Sequence, residues 1–505
     1  MSRTKKSAIN SVVGIACSLI SSILSFVLQA VFIRLLGLEY SGINGLFTDV
    51  LKILNLAELG INNAIMFRLY KQIADNNQFE IEKLLNYYRK FSYLIGLIIL
   101  VVGIGFIPFL HLFVKEVPAF PESLWSLYII VLATSVVTQF LQYRSILILA
   151  KQDRYIYTII NYSSIFLKHG LQILVLWLFK NIYLYLLVAL FTTILSGIVY
   201  GIVSKRRYSH SFTSKEDLTK KEKKELLKDV GSLSVYKLCR TLDATIDTFL
   251  ISKFVSVATT AIYASFNMLL GALNELLGCF NDGITASIGD VYASGDKLRT
   301  KQIFYQSYHF TYLIYGICTA TLFPFLKLFT NWWIGHSLND IEISFLLINF
   351  YIYGFGMTVA NFRNSMGVFQ KGWIRPAVTA TLNFVFSFIL VQEIGLVGTL
   401  IGTLISRVLT LVWYDPYIIF KHAFGEFPLK YYVRYIVYIF FTACACLANV
   451  FINTLLPFSN SILWILIHGF CYLLVSAVML IGVGFIFKEQ NELFLRFKNL
   501  LKKKL

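Results

Sequence analysis

Residues 182–207 read IYLYLLVALFTTILSGIVYGIVSKRR and indicate the fold class of the chain. The apolar part of this stretch is about 20 residues long, the length that an α-helix needs to cross ~30 Å of hydrocarbon. Similar runs recur along the 505 residues, separated by short segments with turn residues. Strands of a membrane barrel would instead give alternating segments of about ten residues. The sequence therefore predicts an all-α polytopic membrane protein with about fourteen transmembrane helices.

The predicted spans follow one another closely along the chain. They are 9–35, 42–67, 91–114, 124–150, 156–179, 182–204, 232–252, 260–288, 304–329, 343–367, 374–392, 395–414, 434–455 and 461–487. The first span continues to about Leu36 without a cleavage site, so it is predicted to be a membrane helix and not a signal peptide.

Composition excludes a large soluble domain. Hydrophobic residues make up 57% of the chain and charged residues 14%, with a mean hydropathy of +0.68, whereas a soluble domain carries about a quarter charged residues. The net charge of +18 raises the alternative of nucleic-acid binding. However, the longest basic stretch, Lys205 to Lys228, is short and lies between two apolar runs, as expected of a loop at a cytoplasmic membrane face.

All seven cysteines lie in apolar runs without CxxC spacing, so no disulfide and no metal site are predicted.

Loop charges predict the orientation. Lysines and arginines crowd the loops on the side of the N-terminus, while the opposite loops carry only four: Lys115, Lys180, Lys253 and Lys327. The positive-inside rule then places both termini in the cytoplasm and the protein in the cell (cytoplasmic) membrane.

A weak internal repeat predicts a duplicated core. Tyr40 is followed by the sequence GINNAI at 60–65, and Tyr263 is followed at the same spacing by GITASI at 283–288. The two copies are six predicted helices apart, so they share one orientation. The predicted organisation is a six-helix bundle at 1–204, a cytoplasmic basic linker at 205–231, a second six-helix bundle at 232–414, and a terminal helix pair with a basic tail at 415–505.

Basic residues inside the predicted spans are the main candidates for function. They are Arg34, Lys52, Arg144, Lys168, Lys237, Arg240, Arg363 and Arg407. Each costs about 2.5–3.5 kcal/mol at mid-bilayer on insertion scales, so a lipid-facing position is unfavourable. Lys52, Lys168 and Arg240 lie deepest, and Arg144 and Arg363 lie toward the inner side. These five are the predicted cationic substrate-binding residues.

Each of the deep cations lies among other polar residues, and each of these arrangements has two possible interpretations. Asn161, Ser164, Lys168 and Gln172 share one helical face, which indicates either a wet cavity or a polar contact between helices.

Arg240, Asp243 and Asp247 form a second stripe, which is either an internally neutralised group or a site for binding or ion coupling. Lys52 follows Asp49 by three residues and has the same ambiguity. Glu58 joins Asp243 and Asp247 as an acidic candidate for ion coupling.

No enzyme motif is present in the sequence. It contains no Walker A motif and no HExxH, and its histidines are scattered. No catalytic residue and no cofactor are predicted, and coupling to an H⁺ or Na⁺ gradient remains open. Cationic groups between two helical bundles suit an anionic amphiphile, such as a diphosphate-linked lipid. The residues thus predict a transporter or flippase with a cationic cavity.

Residues 40–71 read YSGINGLFTDVLKILNLAELGINNAIMFRLYK and are similar to the early segment of bacterial capsule and O-antigen repeat-unit flippases (Wzx type). Residues 34–37, RLLG, also resemble this family, which belongs to the multidrug/oligosaccharidyl-lipid/polysaccharide exporter superfamily. The resemblance implies a MATE-like, alternating-access fold. It also implies a cargo of undecaprenyl-diphosphate-linked oligosaccharide, with membrane lipid, a polysaccharide polymerase and chain-length machinery as the partners to consider.

Two rival functions remain open at this stage. A cation-coupled multidrug exporter of the same fold would have a cavity dominated by acidic residues. A membrane-embedded polysaccharide polymerase would carry a substantial extramembrane loop, whereas every predicted outer loop here is about ten residues or shorter.

Overall fold

The computed structural model describes residues 3–116, 121–208, 216–366, 374–457 and 461–492. Within them, the backbone alone is described at 3–13, 15, 56–60, 63, 227–237, 279–287, 289–290 and 293. Helices account for nearly all of these ranges, and no strand occurs in them.

Sixteen α-helices are described, numbered here in chain order. They are α1 (Arg3–Leu36), α2 (Leu38–Leu54), α3 (Leu56–Ala74), α4 (Gln78–Phe106), α5 (Leu124–Gln142), α6 (Ser145–Ala150), α7 (Arg154–Phe179), α8 (Ile182–Arg207), α9 (Lys220–Leu250), α10 (Val257–Ala293), α11 (Lys297–Ile334), α12 (Asp340–Ser365), α13 (Arg375–Arg407), α14 (Tyr414–Ile419), α15 (Leu429–Leu455) and α16 (Ile462–Gly484). A 3₁₀ segment, Ile107–Phe113, extends α4, and π-helical turns occupy Ile251–Val255, Val408–Val412 and Phe420–Phe424.

The predicted all-α, multi-pass membrane architecture is confirmed. Ten helical segments of the described chain are long and apolar enough to cross a membrane. The segment Arg375–Phe424 counts once among them but contains two predicted spans. The described residues of the predicted spans 42–67, 232–252 and 260–288 do not meet that criterion, yet these spans coincide with α2 and α3, α9, and α10.

The two predicted spans inside α13 meet at a sharp reversal. Ile394 and Gly395 leave the helical conformation there, and the φ of Gly395 is +58°, a left-handed value that favours glycine. Beyond the reversal the two halves pack without space for side chains. A Cβ atom at Gly398 would lie 2.2 Å from the Leu390 carbonyl oxygen, and one at Gly402 would lie 2.3 Å from Ser387 Oγ. Small residues four apart thus allow two membrane helices to approach closely.

By packing, the chain forms two compact units, residues 1–261 and 262–505. In the first unit α1 packs on α7, α5 packs on α8, and α9 packs on α3. In the second unit α11 is central and contacts α12, α15 and α16. The division of the chain into two bundles, a linker and a terminal pair remains a prediction.

Aromatic rings and one histidine attach the terminal helices to α11. Tyr312 of α11 stacks on Tyr438 of α15 with ring centroids 4.0 Å apart. His309 is fully buried, and its two ring nitrogens lie 2.9 Å from Tyr438 Oη and 2.8 Å from Gln490 Oε1. Both nitrogens therefore have a partner, which is the requirement for burying a polar ring.

The described part of the basic linker is anchored to the first unit. Leu218 and Leu226 are buried against the start of α4. Asp217 pairs with Lys90 at 3.2 Å and with Lys223 at 3.1 Å. Burial raises the pKa of Asp217, but hydrogen bonds from Lys223 and Lys90 outweigh it and hold that pKa below its usual 3.8. Charge pairing and apolar burial together fix residues 216–226 on α4.

A cap at the start of α9 fixes the direction in which this helix leaves the linker. Thr219 Oγ1 accepts from the Glu222 backbone N–H, and Glu222 Oε2 accepts from the Thr219 backbone N–H at 2.7 Å. These hydrogen bonds from the backbone and hydroxyl of Thr219 hold the pKa of Glu222 below its usual 4.5.

Candidate functional site

Three of the predicted cations lie on packed helices of the first unit. Helix α1 packs on both α7 and α2, and α2 packs on α9. Lys168 lies on α7, Lys52 on α2 and Arg240 on α9. At 1.5 Å per residue, Lys52 lies about 21 Å from Leu38, Lys168 about 16 Å from Phe179, and Arg240 about 15 Å from Leu250. The predicted topology, counted from α1, places these three helix ends on one side of the membrane and predicts a similar depth for the three cations.

A break in the second predicted span sets the position of Lys52. The helix is interrupted at Asn55, whose side chain bonds to α5. Its Nδ2 donates to Ser135 Oγ at 2.6 Å, and its Oδ1 accepts from Gln139 Nε2 at 3.1 Å. Lys52 consequently falls in the last turn of α2. Its Nζ pairs with Asp49 Oδ1 at 2.7 Å, and the Lys52 side chain is 58% exposed, so an exposed ammonium remains accessible to a second anion.

Lys168 is half-buried near the middle of α7 and forms no hydrogen bond or ion pair with the described residues. Other members of its polar stripe bond within the helix bundle. Gln172 Nε2 donates to the Tyr185 carbonyl of α8 at 3.2 Å, and Ser164 Oγ donates to the Ile160 carbonyl of α7 at 2.8 Å. The adjacent His169 lies 3.3 Å from Ser25 of α1. The stripe is thus partly a contact between helices, while Lys168 keeps its donors available.

Arg240 is exposed, and no salt bridge joins it to Asp243 or Asp247 on the same helix. Asp243 is half-buried and Asp247 is buried, and each has an interaction of its own. The side chain of Glu58, the third acidic candidate, lies outside the described residues. Arg240 and Lys168 are therefore the two deep cations without a carboxylate partner among the described residues.

Arg144 and Arg363 occupy different surroundings from the deep cations. Arg144 lies in the short break between α5 and α6, with its guanidinium 5.4 Å from the Tyr143 ring centroid. A Cβ atom at Gly201 of α8 would lie 2.7 Å from Arg144 Nη1, so this glycine provides space for the arginine.

In the second unit, Arg363 is buried in an ion triad. Its Nη1 lies 2.9 Å from Asp415 Oδ1, and Arg375 Nε lies 3.1 Å from the same oxygen. The side chains of Arg363 and Asp415 are 3% and 1% exposed. The sequence analysis did not identify Asp415. An aspartate directly after the predicted span 395–414, beside Pro416, was the available signal. The triad ties α12, the start of α13 and α14 together.

Comparison with known protein families identifies the family of the chain, which the geometry of the site does not. The family model described as polysaccharide biosynthesis protein matches residues 7–283. The chain belongs to the polysaccharide biosynthesis protein family. That match spans the first unit, which carries Lys52, Lys168 and Arg240, and continues into α10 of the second. No curated protein sequence matches the chain significantly.

Solved structures with the same fold are transporters and a flippase. The lipid II flippase MurJ in an inward closed conformation aligns with a TM-score of 0.68 and 14% identity, over 93% of this chain and 98% of that one. A multidrug resistance MATE family transporter of the MOP superfamily, in an inward-facing conformation, aligns with a TM-score of 0.61 and 15% identity, over 80% of this chain and 96% of that one. A point mutant of the Vibrio cholerae MATE transporter VcmN aligns with a TM-score of 0.56 and 14% identity, over 84% of this chain and 99% of that one.

These alignments confirm the predicted MATE-like fold, and the family match confirms a membrane protein of polysaccharide biosynthesis. Within the described residues, no group of three or more His, Cys, Asp or Glu side chains could hold a metal ion.

Proposed function

We propose that the protein is a flippase that moves undecaprenyl-diphosphate-linked oligosaccharide repeat units across the cytoplasmic membrane by alternating access. The glycans would serve capsule, exopolysaccharide or O-antigen assembly. Both termini lie in the cytoplasm, and the cargo moves from the inner to the outer leaflet. A polysaccharide polymerase and chain-length machinery would receive the repeat units outside.

The observation that carries the proposal is a pair of cations at mid-depth. Lys168 and Arg240 lack a carboxylate partner among the described residues, in a chain of the polysaccharide biosynthesis family. A half-buried cation without a counter-ion, such as Lys168, is unfavourable in a membrane, so an anionic ligand would stabilise it, and the exposed guanidinium of Arg240 is accessible to the same ligand. A diphosphate offers several charged acceptor oxygens to the ammonium and guanidinium donors, and Lys52 adds a third cation at similar depth.

The test measures glycan export by variants of this protein in cells from which the native copy of its gene is deleted. Lys168→Ala should lower export about 10- to 150-fold, because one hydrogen bond to a charged group contributes about 1.5–3 kcal/mol. Lipid-linked repeat units should accumulate on the inner leaflet. Lys168→Arg should retain most of the export because the charge and donors remain.

Lys205→Ala is the matched control, since Lys205 is an exposed lysine at the end of α8. It should export like the unmodified protein. Normal export by a stably inserted Lys168→Ala protein would remove Lys168 from the cargo site.

A cation-coupled multidrug exporter is the second candidate, favoured by the MATE-like fold. It predicts that deleting the gene increases susceptibility to cationic drugs and leaves surface glycan unchanged. The flippase predicts the reverse pattern, so one pair of assays on the deletion strain separates the two functions.

A further inference from the structure

Gly42 of α2 brings two backbones into direct contact. A Cβ atom on Gly42 would lie 2.1 Å from the carbonyl oxygen of Val257, the first residue of α10, and 2.7 Å from Val257 Cγ1. Such distances are far below any van der Waals contact. A backbone carbonyl cannot move aside as the end of a flexible side chain can, so only glycine fits this position in the present arrangement.

Two further contacts hold the same turn, residues 249–257, which we call the α9–α10 turn. The Lys115 backbone N–H, just beyond the 3₁₀ segment, donates to the Ser252 carbonyl at 3.1 Å. Phe113 packs against Phe249, with ring centroids 5.5 Å apart. Ser252 and Val257 are both buried. No salt bridge among the described residues takes part in these contacts, which consist of packing and a backbone hydrogen bond.

The turn lies at one end of the helices that carry the candidate cations. Helix α2 runs from Gly42 toward Lys52, and α9 runs from Arg240 toward the turn. Along each helix the cation lies about 15 Å from the contact. Just beyond the turn, at Ala261, the first compact unit ends, and the rest of α10 belongs to the second unit.

We propose that the contacts of the α9–α10 turn with Gly42 and with Lys115 form a latch that closes this end of the helices and must part for cargo to leave. The latch rests on the proposed function. A hydrophilic glycan held near Lys52 and Arg240 cannot pass between α2 and the α9–α10 turn while their backbones touch. Close packing and a backbone hydrogen bond suit a contact that forms and breaks in each transport cycle, because no buried charge has to be separated.

Disulfide trapping tests the latch. Lys115 and Ser252 share a backbone hydrogen bond, which places their Cα atoms about 5–6 Å apart, within the range that a disulfide spans. The double variant Lys115→Cys, Ser252→Cys is made in a chain without its seven native cysteines and assayed in membranes with a mild oxidant. Oxidation should lower glycan export at least tenfold, and a reductant should restore it. Each single-cysteine variant should export normally under the same oxidant.

Gly42→Ala then tests the glycine itself. Its methyl group should keep the latch open and slow disulfide formation at least fivefold. Gly45→Ala is the matched control one turn along α2, because a Cβ atom at Gly45 meets nothing within 4 Å, and its disulfide should form at the unmodified rate.

Equal disulfide rates in Gly42→Ala and Gly45→Ala would overturn the role of Gly42. Undiminished export by the fully oxidised protein would overturn the latch, and this result does not depend on whether Gly42→Ala folds. Absence of glycan export even in the reduced protein would count against the proposed function, while the disulfide rates would still decide whether Gly42 closes the contact.

Discussion

Asp415→Asn gives the sharpest test of the packing in the second unit. Asparagine keeps the size of the side chain but removes the charge that faces the Arg363 and Arg375 guanidiniums at 2.9 and 3.1 Å. Because the side chain of Arg363 is only 3% exposed, water cannot replace the lost counter-ion. Removing one partner of a buried ion pair costs about 3–5 kcal/mol.

The chain provides a matched control in Lys327–Asp340. This pair has a similar separation, 2.8 Å, but its side chains are 46% and 74% exposed. An exposed pair contributes about 0–1 kcal/mol, so Asp340→Asn should have little effect. The two substitutions are chemically identical, but Asp415 is buried against two guanidiniums whereas Asp340 is exposed beside one ammonium.

The assay is thermal unfolding of the purified protein in detergent, followed by loss of helical signal and by aggregation. For a unit of roughly 150–250 residues, 1 kcal/mol corresponds to about 2–4 °C. Asp415→Asn should lower the Tm by about 6–20 °C, and Asp340→Asn by less than about 4 °C. Replacing all three triad residues by apolar side chains should recover part of the loss, because no unpaired charge then remains buried. Equal Tm values for the two single variants would refute the reasoning.

Two further predictions concern the α13 reversal and the linker. Gly398→Ala should destabilise the protein by about 1–3 kcal/mol in the same unfolding assay, because its methyl group would meet the Leu390 carbonyl. Gly482→Ala, in open space on α16, should be neutral or slightly stabilising, and equal effects of the two would contradict the packing. Hydrogen bonds from Lys223 and from Lys90 of α4 lower the pKa of Asp217 in the docked linker, so the contribution of Asp217 to docking is complete well above pH 3.8 and is lost as the pH falls below that value. The protection of the amides at 216–226, that is, their exchange rate relative to the intrinsic rate at the same pH, should therefore fall only in acid, and a loss of protection between pH 8 and 5 would disprove this assignment.

Much of the fold could be predicted because the membrane imposes a local rule. A helix must bury about 20 residues of its own backbone in hydrocarbon, so each span is indicated by its own sequence. The predicted runs coincide with helices, and the break at 392–395 coincides with the reversal at Gly395. Residue spacing also indicated the Lys52–Asp49 pair, because residues three apart on a helix are neighbours.

The surroundings of the candidate site were only partly predictable. Hydropathy does not distinguish between Lys168, Arg144 and Arg363, because each is a cation within an apolar run. Arg363 is neutralised by Asp415, 52 residues further along the chain, whereas Lys168 has no such partner among the described residues. A sequence does not show which helix faces meet, so it cannot separate these two cases.

The membrane character of the chain, the number of its apolar runs and the positions of the candidate cations within those runs follow from the sequence alone, since each depends on the composition of a single segment. Gly42 was visible only as part of a family motif. Only the tertiary structure shows that it contacts Val257, because that contact depends on how α2 packs on the α9–α10 turn, across more than 200 residues of intervening chain. Close packing between distant segments, and not local propensity, is what places the latch.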